Sequence, residues 1–216
     1  MKTLWLFVAS LSGLLLAGCD IDTGIRGSGK VVTVQRPIED FTEISARGAV
    51  RVDWHSGAPS LSITTDDNLI DIFETKVSRN RLEMRMRERT RPTRGVKVSI
   101  TSSALNGAKL SGAADLVAQG VNGKVFAVES AGSTSITLDG TVDELLADLT
   151  GASELKAKSL QAKSVGISAT GAADAWVTAT EKLRVAITGA GEVTYSGNPP
   201  TIEKKVTGAG SIHHKD

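Results

Sequence analysis

Thr150-Gly151-Ala152-Ser153-Glu154-Leu155 is one of six near-copies of a single short pattern. Before it come Ser111-Gly112-Ala113-Ala114-Asp115-Leu116 and Ala131-Gly132-Ser133-Thr134-Ser135-Ile136. After it come Thr170-Gly171-Ala172-Ala173-Asp174-Ala175, Thr188-Gly189-Ala190-Gly191-Glu192-Val193 and Thr207-Gly208-Ala209-Gly210-Ser211-Ile212. The glycines are spaced 20, 19, 20, 18 and 19 residues apart. Repetition at so narrow an interval marks a stack of similar structural units. Four residues after each glycine stand Leu116, Ile136, Leu155, Ala175, Val193 and Ile212, and two further on Ala118, Leu138, Ala157, Val177, Tyr195 and His214. Phe126, Leu145, Val165, Leu183 and Ile202 lie six before the later glycines, and Leu110, Ser130, Leu149, Ala169, Ile187 and Val206 two before. Ser, Thr, Lys, Asp and Glu fill most of the positions between.

An alternation of period two is a strand pattern and does not make the 3.6-residue stripe of a helix. A second small residue, eight after each glycine (Gly120, Gly140, Ser159, Ala179, Gly197), marks another corner. Two short strands and two corners cannot bury their apolar face alone, but stacked copies can. The sequence therefore predicts an all-β fold, with a parallel β-helix of about 19 residues per coil over 106–216.

Composition agrees. Of 216 residues, 22 are glycine and only 4% aromatic, which suits many tight turns. Lys plus Arg is 25 against 24 Asp plus Glu, so no overall basic footprint points to nucleic acid. The single cysteine, Cys19, excludes an internal disulfide and a cysteine-based zinc site.

Residues 31–105 are strand-rich but less regular. Ile44 to Trp54 repeats the glycine-centred pattern around Gly48, with Val52 and Trp54 inward. Asp66 to Phe73 reads as a turn with a short helical segment, docked by Leu69, Ile72 and Phe73. In Arg81-Leu82-Glu83-Met84-Arg85-Met86-Arg87 the apolar residues point in and the charges out. From Lys76 to Lys97 there are nine basic and two acidic residues, a local +7. Such a strand either meets phosphates of a headgroup or polymer, or is kept soluble by its charge; the second reading is favoured, because no aromatics interleave the arginines.

The first 18 residues read as a signal peptide, with Lys2 ahead of an apolar run too short to span a bilayer. Leu16-Ala17-Gly18-Cys19 resembles the lipobox of bacterial lipoproteins, which implies diacylglyceryl transfer to Cys19 and cleavage before it. Two or more acyl chains suffice for stable anchoring. The anchored chain is expected on the periplasmic side of the envelope, and Asp20, which resembles a retention signal, favours the inner membrane over the outer. Residues 19–30 then read as an anchored tether.

Phe41-Thr42-Glu43-Ile44, Asp67-Asn68-Leu69-Ile70, Arg81-Leu82-Glu83-Met84 and the serial Ser/Thr-Gly-Ala units together resemble the head GIN domain family, described as "putative auto-transporter adhesins". The resemblance covers roughly 31–214. It implies a β-helical envelope protein, secreted or lipid-anchored, and brings no catalytic residues with it.

Three residues after the repeat glycines comes a column of outward parity: Asp115, Ser135, Glu154, Asp174, Glu192 and Ser211. Trp176 stands in the next outward column, suited to contact a sugar or protein ring. The expected role is non-catalytic binding of an envelope protein or glycan through Asp115, Glu154, Asp174, Trp176 and Glu192. The rival is a polysaccharide lyase or hydrolase, because stacked carboxylates would sit about 5 Å apart. Against it, every coil is short and no long loop walls a cleft. No metal or cofactor is expected; His55, His213 and His214 lack ligand spacing, and adjacent strand residues face opposite ways. Gly24-Ile25-Arg26-Gly27-Ser28-Gly29-Lys30 nearly spells a phosphate loop, but Val31 stands where Ser or Thr is needed and no helix follows.

Overall fold

The computed structural model describes residues 24–215. Cys19, Asp20 and the signal peptide read over 1–18 lie outside the described residues. Strand makes up 73% and helix 3%, wound into a β-solenoid of about 5 turns with roughly 20-residue coils.

The irregular half holds β1 (Ile25–Arg26), β2 (Val31–Arg36), β3 (Glu43–Gly48), β4 (Val50–Ser56) and β5 (Ser60–Asp66). A 3-10 helix (Asp67–Ile72) follows, then β6 (Phe73–Ser78), β7 (Arg81–Met86), β8 (Thr90–Arg91) and β9 (Val96–Ser102). The regular coils are β10 (Gly107–Gly112), β11 (Asp115–Gly132), β12 (Ser135–Gly151), β13 (Glu154–Gly171) and β14 (Asp174–Gly189). They end in β15 (Glu192–Ser196), β16 (Thr201–Gly208) and β17 (Ser211–His214).

The register is the sequence repeat made physical. Gly112 pairs with Gly132, Gly132 with Gly151, Gly151 with Gly171, Gly171 with Gly189 and Gly189 with Gly208, all in parallel. Gly48 joins the same column below Gly112. At Gly151, φ is +97° and a Cβ would lie 2.6 Å from the carbonyl oxygen of Gly132. Only glycine meets both demands, the left-handed backbone and the close approach of the coil beneath.

Where two short strands per repeat were expected, β11 to β14 each run 16 to 18 residues. The second corner is passed by register shifts, such as that between Ala118 and Val121, without breaking the strand. A short third side results, whose inward residues Val121, Val142, Ala162 and Ala179 are buried.

All the inward columns of β10 to β15 are buried, Phe126, Ile136, Leu138 and Leu155 fully so, in one continuous core shared with the irregular half. Each large apolar side chain among them contributes about 1.5–3 kcal/mol by leaving water. The exceptions lie on the last coil, where Ile202 and Val206 are 43% and 42% exposed because no further coil covers them. There, Lys204 occupies the inward column of Val185 and reaches over Tyr195, 4.6 Å from its ring centre, while His214 stacks on the same ring at 4.8 Å. Inward charges of this kind blunt an open sheet edge.

The irregular half contains the same coil in permuted order. β3 and β4 form one coil beneath β10 and β11, and the later β7 and β9 form another beneath that. The chain therefore winds downwards once before climbing. Antiparallel strands close this end: β6 on β7 through a two-residue turn with Arg79 and Asn80 at positive φ, and β5 on β9 with β2 outside it. Leu69 and Phe73 are buried and Ile72 half-buried, as their docking role required. Trp54 is fully buried and its indole N–H donates to Ser102 Oγ at 2.8 Å.

The segment read as a tether reaches the domain before residue 31. β1 pairs in parallel with β8, and Asp66, fully buried, accepts hydrogen bonds from the Gly29 N–H at 2.8 Å and the Thr93 N–H at 2.7 Å. Asn68 and Asp67 take the Ser28 N–H and hydroxyl. The loop that imitates a phosphate cradle thus wraps the protein's own carboxylate.

Candidate functional site

The face that follows the glycine corner carries the outward columns in the expected order. Asp115, Ser135, Glu154 and Asp174 occupy successive rungs, and the Glu192 N–H donates to Asp174 Oδ1 at 2.9 Å, which continues the row. Hydrogen-bonded rungs lie about 4.8 Å apart, so the row is regular by construction. Its carboxylates are engaged with neighbours. Asp115 meets Arg51 at 3.4 Å, Glu154 meets Lys156 at 2.6 Å and the Ser135 hydroxyl at 3.3 Å, and Glu192 accepts from the Thr194 hydroxyl at 3.3 Å. None of the four carboxylate residues is buried. A general acid is usually made by burying a carboxyl until it keeps its proton; these four lie at the surface.

Trp176 lies on the same face, between Lys156 and Thr194 on adjacent rungs, half-buried. It walls an open groove of about 610 Å³ at the far end of the solenoid, with Lys158, Glu192, Thr194, His213 and Lys215 also lining it. No hydrogen-bond partner is found for the Trp176 indole N–H or the Lys158 ammonium among the described residues. The row and the groove therefore meet at Glu192. His213 and His214 diverge as strand parity demands: His213 pairs opposite Thr194 on the outer face, while His214 pairs opposite Tyr195 and caps the bore.

Among the described residues, no group of three or more His, Cys, Asp or Glu side chains is placed to hold a metal ion, and no helix is long and apolar enough to cross a membrane. Sequence reasoning missed Lys158 and Lys215 as groove residues. Both sit at corners, where the period-two alternation that sorts inner from outer positions lapses.

Residues 40–199 match the family described as "Putative auto-transporter adhesin, head GIN domain". The chain belongs to this family. Solved structures carry the same fold as this head GIN domain. A "putative adhesin" from Bacteroides fragilis is 23% identical, with 89% of this chain and all of that chain covered at a TM-score of 0.74. A "putative lipid binding protein" from Parabacteroides distasonis is 25% identical, covering 89% and 99% at 0.56. A "putative adhesin" from Parabacteroides merdae is 22% identical over 89% and 99%, at 0.54. No curated protein matches the chain in sequence. The family is named for adhesion, and the neighbours named as adhesins share its fold.

Proposed function

We propose that the protein is a lipid-anchored, adhesin-like domain of the bacterial envelope that binds another envelope component without catalysis. The observation that carries this reading is the row from Asp115 to Glu192, held in rung-by-rung register and ending in a groove walled by Trp176. A flat, repeating display of carboxylates and hydroxyls suits a repeating partner, whether a strand-rich protein or a glycan. An aromatic plane at its end suits a sugar ring or an apolar side chain.

Acylation of Cys19 holds the domain on the membrane, facing the periplasm, and Asp20 favours the inner membrane over the outer. The Parabacteroides distasonis neighbour, named for lipid binding, fits a position close to lipid.

The test immobilises the chain from residue 20 onward and offers it solubilised envelope components. Charge reversal by Glu154→Lys, Asp174→Lys and Glu192→Lys together, or Trp176→Ala alone, abolishes capture while the unfolding midpoint stays near that of the parent. Unchanged capture would refute the choice of face. Turnover of a polysaccharide that is lost on Glu154→Gln or Asp174→Asn would replace binding with catalysis. Acyl mass on Cys19 in cells, absent from Cys19→Ser, tests the anchor.

A further inference from the structure

The basic segment and the point where the chain enters the domain are the same place. β1 lies beside β8, with Ile25 opposite Thr90 and Arg26 opposite Arg91. The Ile25 N–H donates to the Arg89 carbonyl at 2.8 Å, and the Gly27 N–H to the Arg91 carbonyl at 2.9 Å. Parity alone could not join residues 25–26 to 89–91, because the contact lies 64 residues apart in sequence.

Several of the local charges are neutralised within the domain. Arg81 pairs with Glu43, Arg85 with Glu74 and Lys97 with Asp53. Arg26, Arg47, Arg89 and Arg94 are exposed and have no ion-pair partner among the described residues. Arg87 is exposed too; it donates to the Asp71 carbonyl, which leaves its charge uncompensated. Glu88 is the one acidic residue between Arg87 and Gly95. Arg47 and Arg89 line an open groove of about 500 Å³ with the Gly48–Ala49 corner. Ile25, 37% exposed, adds an apolar side chain at the same spot.

We infer that this end of the solenoid is a docking surface for the anionic headgroups of the bilayer that holds the anchor. The orientation rests on the lipid anchor proposed above; the affinity of the surface does not. Four residues lie between Cys19 and Gly24, and the five steps from one to the other span at most about 18 Å. A tether so short presses the end from which it springs against the membrane. Attraction between arginines and an anionic leaflet acts within a Debye length, about 8 Å at physiological salt. Exposed arginines with uncompensated charge, gathered where the chain enters the domain, are what such contact requires. The strand order puts β17 at the opposite end of the sheet, so docking here directs the Trp176 groove away from the membrane.

The core within residues 24–215 is continuous and self-contained, so the chain from residue 20 onward serves as the test protein. It is cosedimented with vesicles of phosphatidylcholine alone and of phosphatidylcholine mixed with phosphatidylglycerol. Binding to the mixed vesicles only, weakened by salt, is expected. Arg89→Glu with Arg94→Glu lowers it by about 25-fold or more, at about five-fold per charge near such a surface. Lys158→Glu with Lys215→Glu, at the far end, leaves it unchanged. An unaltered far-ultraviolet spectrum and unfolding midpoint show that the variants fold. Equal binding to both vesicles, equal loss from the far-end pair, or capture of soluble polyanion without vesicle binding would overturn the inference. Since this protein lacks Cys19, the result is independent of acylation. Vesicle binding with an unacylated Cys19 in cells sinks only the anchor; no vesicle binding with an acylated one sinks only the docking surface.

Discussion

Gly151→Ala isolates the feature on which every coil depends. The backbone at 151 has φ +97°, and the added methyl carbon would lie 2.6 Å from the Gly132 carbonyl oxygen. That oxygen accepts the Ala152 N–H at 2.8 Å, the bond that ties the corner to the coil below. Backbone strain of this type costs about 1–3 kcal/mol. Forcing a methyl into a closed contact adds about 1–3 kcal/mol. Loss of the corner hydrogen bond adds about 0.5–1.5 kcal/mol. The sum is about 2.5–7.5 kcal/mol, enough to lower the melting temperature of a chain this size by about 5 °C or more. Two substitutions separate the contributions. Gly120 has φ +71° with nothing within 4 Å of an added Cβ, so Gly120→Ala carries the strain alone, about 1–2 kcal/mol. Gly166 lies outside the left-handed region, and its added Cβ meets only the flexible Leu146 Cδ2 at 3.2 Å, so Gly166→Ala falls below either. Urea unfolding of the three variants beside the parent gives the ranking. A Gly151→Ala protein no less stable than Gly120→Ala would refute the stacking contact as the reason for glycine.

Ser102→Ala strands the buried Trp54 N–H and should cost about 1–3 kcal/mol in the same assay; loss of under about 0.5 kcal/mol would mean the bond is replaceable. Asp66 is held below the usual carboxylate range, first by the Thr93 N–H and then by the Thr93 hydroxyl and the Gly29 N–H, against the opposing effect of burial. Its contribution is therefore full above the unfolded value near 3.8 and fades as pH falls through the lower folded value. Melting temperature should drop steeply below about pH 4 in the parent and less steeply in Asp66→Asn; parallel profiles would contradict this. Arg36 donates to the Ile70 and Phe73 carbonyls at 2.6 and 2.7 Å, so Arg36→Ala should speed amide exchange across 67–75 before other regions. Uniform acceleration along the chain would show that Arg36 has no local role.

The regular coils were legible because two independent signals coincide there. Glycine recurs where the backbone must enter the left-handed region, and apolar residues recur where side chains face the bore. Phe126, Leu145, Val165 and Leu183 fall over one another for that reason. The irregular half hid its order because strand parity says which way a residue points, not which strand lies beside it. β7 beneath β3 depends on Arg79 and Asn80 turning the chain and on a long return to β9, neither of which repeats. The outward row could be read from the same parity, and so could Trp176. The groove could not, because it forms where the corners bearing Lys158 and Lys215 converge on the last coil. Docking of residues 25–30 was also concealed: a run of glycines looks flexible until a buried carboxylate such as Asp66 claims its amides.

Engineered disulfides test the stacking most directly. Thr150 and Thr170 are paired outward neighbours on adjacent coils, while Thr150 and Thr188 are two coils apart. Rung spacing of about 4.8 Å lies within the 4.4–6.8 Å window for bridged cysteines, and twice that spacing lies outside it. In the chain from residue 20 onward, Thr150→Cys with Thr170→Cys should close quantitatively under mild oxidation, and Thr150→Cys with Thr188→Cys should not. Bridging of the distant pair, or failure of the adjacent one, would contradict the register on which the binding face is built.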